Sequence, residues 1–246
     1  MTPEEINRVV LQNLARAEVT WKKHGDELAK AAARRLDEAA APPSFVPGHE
    51  EVTESEVGQF VALVLDIRKS TDHLLQARNP PPQQLERVYY ETSALLPTAD
   101  SVVLDHGGRV TEYLGDGVLG LFDADDVETA CSKSYNAAHE IMTVVRPEVN
   151  RQLEIRHGLP ELIIGIGLAF SKALVERVGS FGQPRVMGEC VYRASKLSDG
   201  HNEVVIDEGM KLNWPTSPDG KLKFQRRPSR RDKTLHGFVV FDPRVL

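Results

Sequence analysis

The apolar run from Phe60 to Ile67 constrains the fold of this chain more than any other stretch. It reads FVALVLDI, is rich in β-branched residues and is too short to cross a membrane. Such a run predicts a strand buried inside a sheet. Asp66 lies at its carboxyl end, and Ser70 and Thr71 then offer hydroxyl groups that suit the start of a helix. Asp66 either simply ends the strand or, beside the free N–H groups of the turn, helps to bind a metal ion and a phosphate.

A second stretch, residues 107–122, reads GGRVTEYLGDGVLGLF and predicts a β-hairpin. Its turn is Gly115-Asp116-Gly117, and a Gly-Asp-Gly between two apolar runs is a strong hairpin signal. Most turns of this kind have no chemical role, so Asp116 alone identifies no site. A hairpin that pairs with the strand of residues 60–67 would, however, bring Asp116 next to Asp66. Two carboxylates at adjoining strand ends form a site for two divalent cations and a nucleoside triphosphate.

A third segment, Gly188 to Ser198, reads GECVYRASKLS. Together with DIRKST and the hairpin, it resembles the class III nucleotidyl cyclases, the family of adenylyl and guanylyl cyclases. The first two segments are similar to that family's metal-binding core, and the third is similar to its Gly-x-x-Val-Asn-x-Ala-x-Arg-Leu motif. The resemblance covers roughly residues 55–245. It implies a ferredoxin-like cyclase core, with helices on the faces of a mixed, mainly antiparallel sheet.

The order of the other predicted elements favours an α/β (α+β) fold. Sequence periodicity predicts helices at residues 3–40, 72–78, 83–106, 126–149 and 192–197. It predicts further strands at residues 162–170, 186–190, 204–206, 221–225 and 238–241. Helices inserted between strands and hairpins predict a mixed sheet with helices packed on its faces.

A segment rich in proline and glycine, residues 41–48, predicts a linker. We therefore divide the chain into an N-terminal helical extension with its linker, residues 1–48, and a cyclase catalytic domain, residues 49–246. The extension reads as one helix, or as two helices divided at Gly25. Its apolar stripe must pack on the main domain or on a second copy of the chain, and in the second case it would extend a dimer interface.

Composition excludes several classes of protein. The chain has 246 residues, 41% of them hydrophobic, and a formal charge of -6, so it can bury a core but offers no basic surface for nucleic acid. No run reaches transmembrane length, and we expect no stable membrane association. Two cysteines, Cys131 and Cys190, indicate no disulfide framework and favour a cytoplasmic location.

The resemblance assigns a metal site to Asp66, to the carbonyl of Ile67 and to Asp116. These groups would hold two divalent cations, Mg²⁺ or Mn²⁺. The turn with Ser70 and Thr71 would bind the β- and γ-phosphates of the substrate. The implied reaction is attack of the 3′-hydroxyl of a nucleoside triphosphate on its own α-phosphate, with release of pyrophosphate.

The third segment departs from the family motif. Tyr192 stands where the motif has Asn, and Lys196 stands where it has Arg, with Arg193 nearby. The resemblance gives these three residues the catalytic role of stabilising the transition state, although Lys196 lacks the bidentate geometry of an arginine. The basic run of residues 226–231 predicts a solvated loop that could steer an anionic nucleotide.

Two further departures concern the residues that read the base. Adenylyl cyclases have a lysine three residues before the Gly-Asp, where this chain has Glu112, and an aspartate three residues before the later glycine, where it has Arg185. An acid in place of the lysine and a base in place of the aspartate exchange the hydrogen-bond donor and acceptor that bind adenine. Glu112 suits the N–H of guanine N1 or uracil N3, and Arg185 suits O6 or O4. The bulk of Tyr113 and Arg185 favours the smaller ring, as in the pyrimidine cyclases of bacterial anti-phage signalling, which this chain resembles.

The sequence therefore predicts a metal-dependent pyrimidine nucleotide cyclase, with UTP favoured over CTP as the substrate. The alternatives are a guanylyl or adenylyl cyclase and a catalytically silent nucleotide-binding or dimerisation module. In the resembling family, the metal site lies on one protomer, and the base-reading and catalytic residues face it from another. Because this chain carries both sets, the resemblance implies a homodimer with two composite sites.

Overall fold

The computed structural model describes residues 1–34, 55–70, 81–178, 183–215 and 222–241, and within these residues eight strands form one sheet. The linker of residues 41–48, the helix predicted at residues 72–78, and Thr71 lie outside the described residues.

The sheet is mixed and mainly antiparallel, as predicted. Its strands are β1 (Ser55–Ile67), β2 (Arg109–Tyr113), β3 (Gly117–Asp123), β4 (Ile164–Val178), β5 (Gln183–Gly188), β6 (Glu203–Ile206), β7 (Lys223–Pro228) and β8 (His236–Phe241). The order is β2-β3-β1-β4-β6-β8-β7, and β5 pairs with the second half of β4. β4 and β6 run parallel, whereas the other described pairs run antiparallel.

Six α-helices accompany the sheet in the described part of the chain. They are α1 (Pro3–Arg34), α2 (Pro81–Asp105), α3 (Val127–Glu140), α4 (Arg146–His157), α5 (Glu189–Leu197) and α6 (Glu208–Leu212). None of these helices is long and apolar enough to cross a membrane.

The helix predicted at residues 126–149 is interrupted. A π-helical turn, Ile141–Val145, separates α3 from α4, and the helical segment continues to His157. Pro147 in the first turn of α4 has no N–H group, and its ring would clash with a carbonyl of the preceding turn. A wider turn accommodates it.

The two faces of the sheet are covered unequally. Helices α1 to α4 pack on one face, where they bury Val61, Leu63 and Leu65 of β1. On the other face, Ala194 of α5 packs with Ala62 of β1. Successive side chains of β1 therefore point to opposite faces of the sheet, and both sets are apolar because both faces are buried.

The apolar stripe of α1 packs on its own chain. Ile6, Val10 and Leu14 are fully buried in the same core as the residues of α2 and α4. Gly25 does not divide α1, which is continuous to Arg34. The expectation that this stripe extends a dimer interface is therefore wrong for its described part, because the stripe is already covered.

Candidate functional site

The carboxyl end of β1 carries the first candidate metal ligand, and the β2–β3 hairpin carries the second. β1 pairs with β3 so that Asp66 lies opposite Gly117, and the Ile67 N–H donates to the Asp116 carbonyl oxygen at 3.1 Å. The predicted pairing of the hairpin with β1 is confirmed. It places Asp116 next to Asp66.

Glycines allow the β2–β3 turn to lie close to the end of β1. A β-carbon at position 117 would collide with the carbonyl oxygen of Leu65 on the neighbouring strand. Gly115 has a φ of 82°, a conformation that residues with side chains rarely adopt. The two glycines thus give the turn its shape, and Asp116 between them supplies its carboxylate.

Asp66 lies among opposing charges. Its Oδ2 atom accepts from the guanidinium groups of Arg68 and Arg231, and its side chain is 18% exposed. Burial raises the pKa of Asp66, and the charge of Asp116 raises it further, whereas Arg231 and Arg68 act in the opposite direction. A carboxylate whose charged form is disfavoured by its surroundings points to function more than to stability.

The turn after β1 supports Asp116. The hydroxyl of the buried Ser70 donates to Oδ2 of Asp116. The Arg68 N–H donates to the carbonyl oxygen of Ile163 at 2.8 Å, which ties the turn to the segment before β4. Ser70, which the sequence assigns to phosphate binding, therefore has a second role in orienting a candidate metal ligand.

The donor set fits hard divalent cations. Asp66 and Asp116 supply carboxylate oxygens, and Ile67 follows Asp66 at the strand end. The described residues contain no cluster of three or more His, Cys, Asp and Glu side chains that could hold a metal alone. Mg²⁺ is commonly bound by one or two carboxylates together with water and substrate phosphates. Asp66 and Asp116 are therefore a donor set of the kind that binds Mg²⁺ in proteins.

Sequence reasoning missed Arg231. The prediction of a solvated loop at residues 226–231 is wrong in part, because residues 226–228 form the end of strand β7, while the side chains of Arg226 and Arg230 are exposed. Ser229 is buried, and Arg227 pairs with Asp199 at 2.6 Å. Charge patterns could not reveal the contact between Arg231 and Asp66, since 165 residues separate the two in sequence.

Two of the three candidate catalytic residues on α5 lie together. Tyr192 donates its hydroxyl to Asp232 at 3.1 Å, and the Lys196 ammonium lies 5.4 Å from the centre of the Tyr192 ring. Residues four apart share one face of a helix, so this contact follows from the motif spacing. Both side chains lie near the β7–β8 turn that carries Arg231.

Arg193 is directed elsewhere. Its guanidinium lies 3.4 Å from the buried carboxylate of Asp207 and 2.6 Å from Glu189. Burial raises the pKa of Asp207, which also accepts the Met210 N–H at 2.8 Å as the N-cap of α6. The structure thus joins α5 to α6 through Arg193.

Glu112 and Arg185, the candidate base-reading residues, lie close to each other. Oε1 of Glu112 accepts the backbone N–H of Val186, the neighbour of Arg185, at 3.1 Å. The Arg185 side chain is exposed and lies 3.7 Å from Glu176. An acceptor and a donor are therefore presented from adjacent positions on β2 and β5.

Tyr113 does not join this pair. Its hydroxyl donates to Asp100 of α2 at 2.8 Å. Although Tyr113 is about half exposed, partial desolvation, followed by this hydrogen bond, raises its pKa to about 12. The Tyr113 side chain is therefore directed towards α2.

An open cleft of about 760 Å³ is lined by Thr111 and Pro184, the chain neighbours of Glu112 and Arg185, but not by Glu112 and Arg185 themselves. Its walls include Phe60, Arg109, Thr111, Leu121 and Pro184. Phe60 and Leu121 belong to the sheet face that α5 covers. The volume lies within the range of small-molecule sites in proteins.

The described fold is similar to solved cyclase domains. The guanylyl cyclase Cya2 superposes with a TM-score of 0.60 at 22% identity, over 77% of this chain and 91% of that chain. The adenylyl cyclase CyaB from P. aeruginosa superposes with a TM-score of 0.61 at 15% identity, over 77% and 96% of the two chains. A dimeric guanylyl cyclase domain of the RhoGC fusion protein from Blastocladiella emersonii gives a TM-score of 0.56 at 17% identity, over 77% and 98%.

These similarities confirm the predicted fold. At identities this low, similarity of structure establishes the fold and not the activity. No protein-family model matches the chain, and no curated protein matches it. The similar structures named above are adenylyl and guanylyl cyclases, so a pyrimidine subtype rests on the base-site residues alone.

Proposed function

We propose that this chain is a metal-dependent nucleotidyl cyclase, which converts a nucleoside triphosphate into the 3′,5′-cyclic monophosphate and pyrophosphate. The observation that carries the proposal is the placement of Asp66 beside Asp116 at the end of β1, in a fold similar to cyclase domains. Paired carboxylates at this position suit a substrate that brings a triphosphate and its cations.

The reaction is intramolecular, so the protein has to position the substrate and offset charge more than it has to form covalent bonds. Asp66, Asp116 and the carbonyl of Ile67 would hold two cations, Mg²⁺ or Mn²⁺. When bound, these cations would lower the pKa of the 3′-hydroxyl and offset the charge of the triphosphate. Ser70 orients Asp116, and with Thr71 it would meet the β- and γ-phosphates.

Tyr192 and Lys196 would act on the α-phosphate. Lys196 keeps the positive charge that the family motif has as Arg, and the Tyr192 ring restricts its position. Arg193 would act indirectly, because its guanidinium is already bound by Asp207 and Glu189. Its part would be to hold α5 in place.

Uracil fits the base-reading pair, whereas cytosine, with an acceptor at N3 and a donor at N4, presents the same pattern as adenine and fits it less well. The Glu112 carboxylate uses one oxygen on the Val186 N–H and can accept a further donor, such as uracil N3–H. Arg185 would donate to O4. Adenine presents the opposite pattern, and a mismatch at a site built for hydrogen bonds discriminates by about four orders of magnitude. By its resemblance to the pyrimidine cyclases, the product would be a second messenger in bacterial anti-phage signalling.

Guanine is the second candidate base. Its N1–H and O6 present the same pattern as uracil N3–H and O4. Two of the similar structures named above are guanylyl cyclases, which favours this alternative. With Tyr113 directed to Asp100, the bulk of Arg185 is the remaining feature that would favour the smaller ring.

Comparing the four nucleoside triphosphates as substrates tests this assignment. With Mn²⁺ and separation of products by chromatography, we expect cyclic UMP to form at least about a hundredfold faster than cyclic AMP. The double variant Glu112→Lys, Arg185→Asp restores the adenine pattern and should move the preference towards ATP. Product from GTP alone would make the chain a guanylyl cyclase. The absence of product from all four would indicate a silent nucleotide-binding module.

A further inference from the structure

Arg231 connects the candidate metal site to α5. Its Nη2 atom donates to Oδ2 of Asp66, and its Nη1 atom donates to the carbonyl oxygen of Ser195 at 3.0 Å. Arg68 donates to the same Oδ2 atom of Asp66. One carboxylate oxygen of Asp66 is thus bound by two guanidinium groups of the same chain.

The turn that carries Arg231 is held independently of the Arg231 side chain. Asp199, only 1% exposed, accepts from the Ser229 hydroxyl at 2.8 Å and from the Arg231 N–H at 3.0 Å. It also accepts from the Arg230 N–H and from Arg227 Nη1. These bonds favour the charged form and keep the pKa of Asp199 low despite burial. The turn therefore stays in place whether or not the Arg231 guanidinium remains on Asp66.

We propose that Arg231 is a built-in counter-ion of the metal site, which binds the Asp66 carboxylate in the metal-free protein and is exchanged for a divalent cation. The proposal rests on the proposed function in one respect, namely that Asp66 is a metal ligand. Exchange is physically accessible because the Arg231 side chain is 35% exposed and its guanidinium can move into solvent. Each cation then has to compete with Arg231 as well as with Arg68, so Arg231 lowers the affinity of the site for metal.

Mn²⁺ binding to the full chain without nucleotide, followed by electron paramagnetic resonance, tests the exchange. Arg231→Ala should bind Mn²⁺ about three- to tenfold more tightly than the wild type, the range expected of a partly buried ion pair offset by desolvation. Arg230→Ala is the matched control, because it removes the same charge from the same turn. The Arg230 side chain contacts His201 at 3.0 Å. It should change the Kd by much less.

The outcomes separate this proposal from the assignment of the metal site. If Asp66→Asn leaves Mn²⁺ binding unchanged, the metal site itself is wrong. If Asp66→Asn weakens binding but Arg231→Ala tightens it no more than Arg230→Ala does, the counter-ion proposal is overturned. The double variant Asp66→Asn, Arg231→Ala should lose the tightening. Arg231→Gln, which keeps a donor for Ser195, repeats the test if the alanine variant has a lower melting temperature.

Discussion

Asp66→Ala and Asp116→Ala should each lower turnover by at least about a thousandfold, because each removes a carboxylate from a site that must hold two cations. The fold should survive, since neither residue belongs to the buried apolar core. Activity assays with saturating UTP and Mn²⁺, together with circular dichroism of each variant, make the measurement. Asp125→Ala is the matched control, because it removes an exposed acid just beyond the other end of β3, outside the lining of the cleft.

The stability of the Asp66 variant follows from the direction of its pKa. The pKa of Asp66 is higher in the fold than in the unfolded chain, mainly through burial. Ionisation of this carboxyl therefore lowers the free energy of unfolding as the pH rises through the pKa of the folded state. Replacing it should leave the melting temperature at neutral pH unchanged or raise it. Near wild-type activity in a variant with a native spectrum would disprove the assignment of that carboxylate to the metal site.

Mixing inactive Asp66→Ala with inactive Lys196→Ala should restore activity if the sites are completed across a homodimer interface. One site of each mixed dimer would then carry only wild-type residues. With random exchange of subunits, about half the dimers are mixed and half their sites are intact, which gives roughly a quarter of full activity. On one face of the sheet, the apolar stripe of α1 is already buried within its own chain. We therefore expect such an interface to form on the other face, beside α5.

A second mixture controls for this result. Asp66→Ala and Asp116→Ala affect the same half of a composite site, so their mixture should stay inactive. Labelled subunits establish that exchange has taken place. Failure of the first mixture to recover activity after complete exchange would place each site within one chain.

The parts of the site that the sequence predicts are those built from contiguous motifs. The apolar run of β1 and the turn around Asp116 carry local signals of period and turn chemistry, which give both the hairpin and its pairing. The extent of β4 is underestimated, because residues 171–178 do not alternate regularly between polar and apolar types and are held in the sheet by pairing with β1 and β5. Tyr113 is drawn to α2 by Asp100, a contact that no local pattern encodes.

The parts of the site that the sequence does not predict depend on ion pairs between residues far apart in the chain. Arg231 meets Asp66 because the buried Asp199 fixes the backbone of the β7–β8 turn, and Asp199 is distant in sequence from both. A run of arginines indicates only positive charge, and the folded structure decides where each guanidinium lies. The same holds for Arg193, which reaches Asp207 across the gap between α5 and α6.

The stoichiometry of products from UTP tests the central claim most directly. A cyclase releases one pyrophosphate for each 3′,5′-cyclic monophosphate, because the attacking hydroxyl belongs to the same molecule as the α-phosphate. We expect cyclic UMP and pyrophosphate in equal amounts, measured by chromatography and by ³¹P magnetic resonance, with both products lost in Asp116→Ala. Release of orthophosphate or of linear UMP, without any cyclic nucleotide from any of the four triphosphates, would contradict a cyclase.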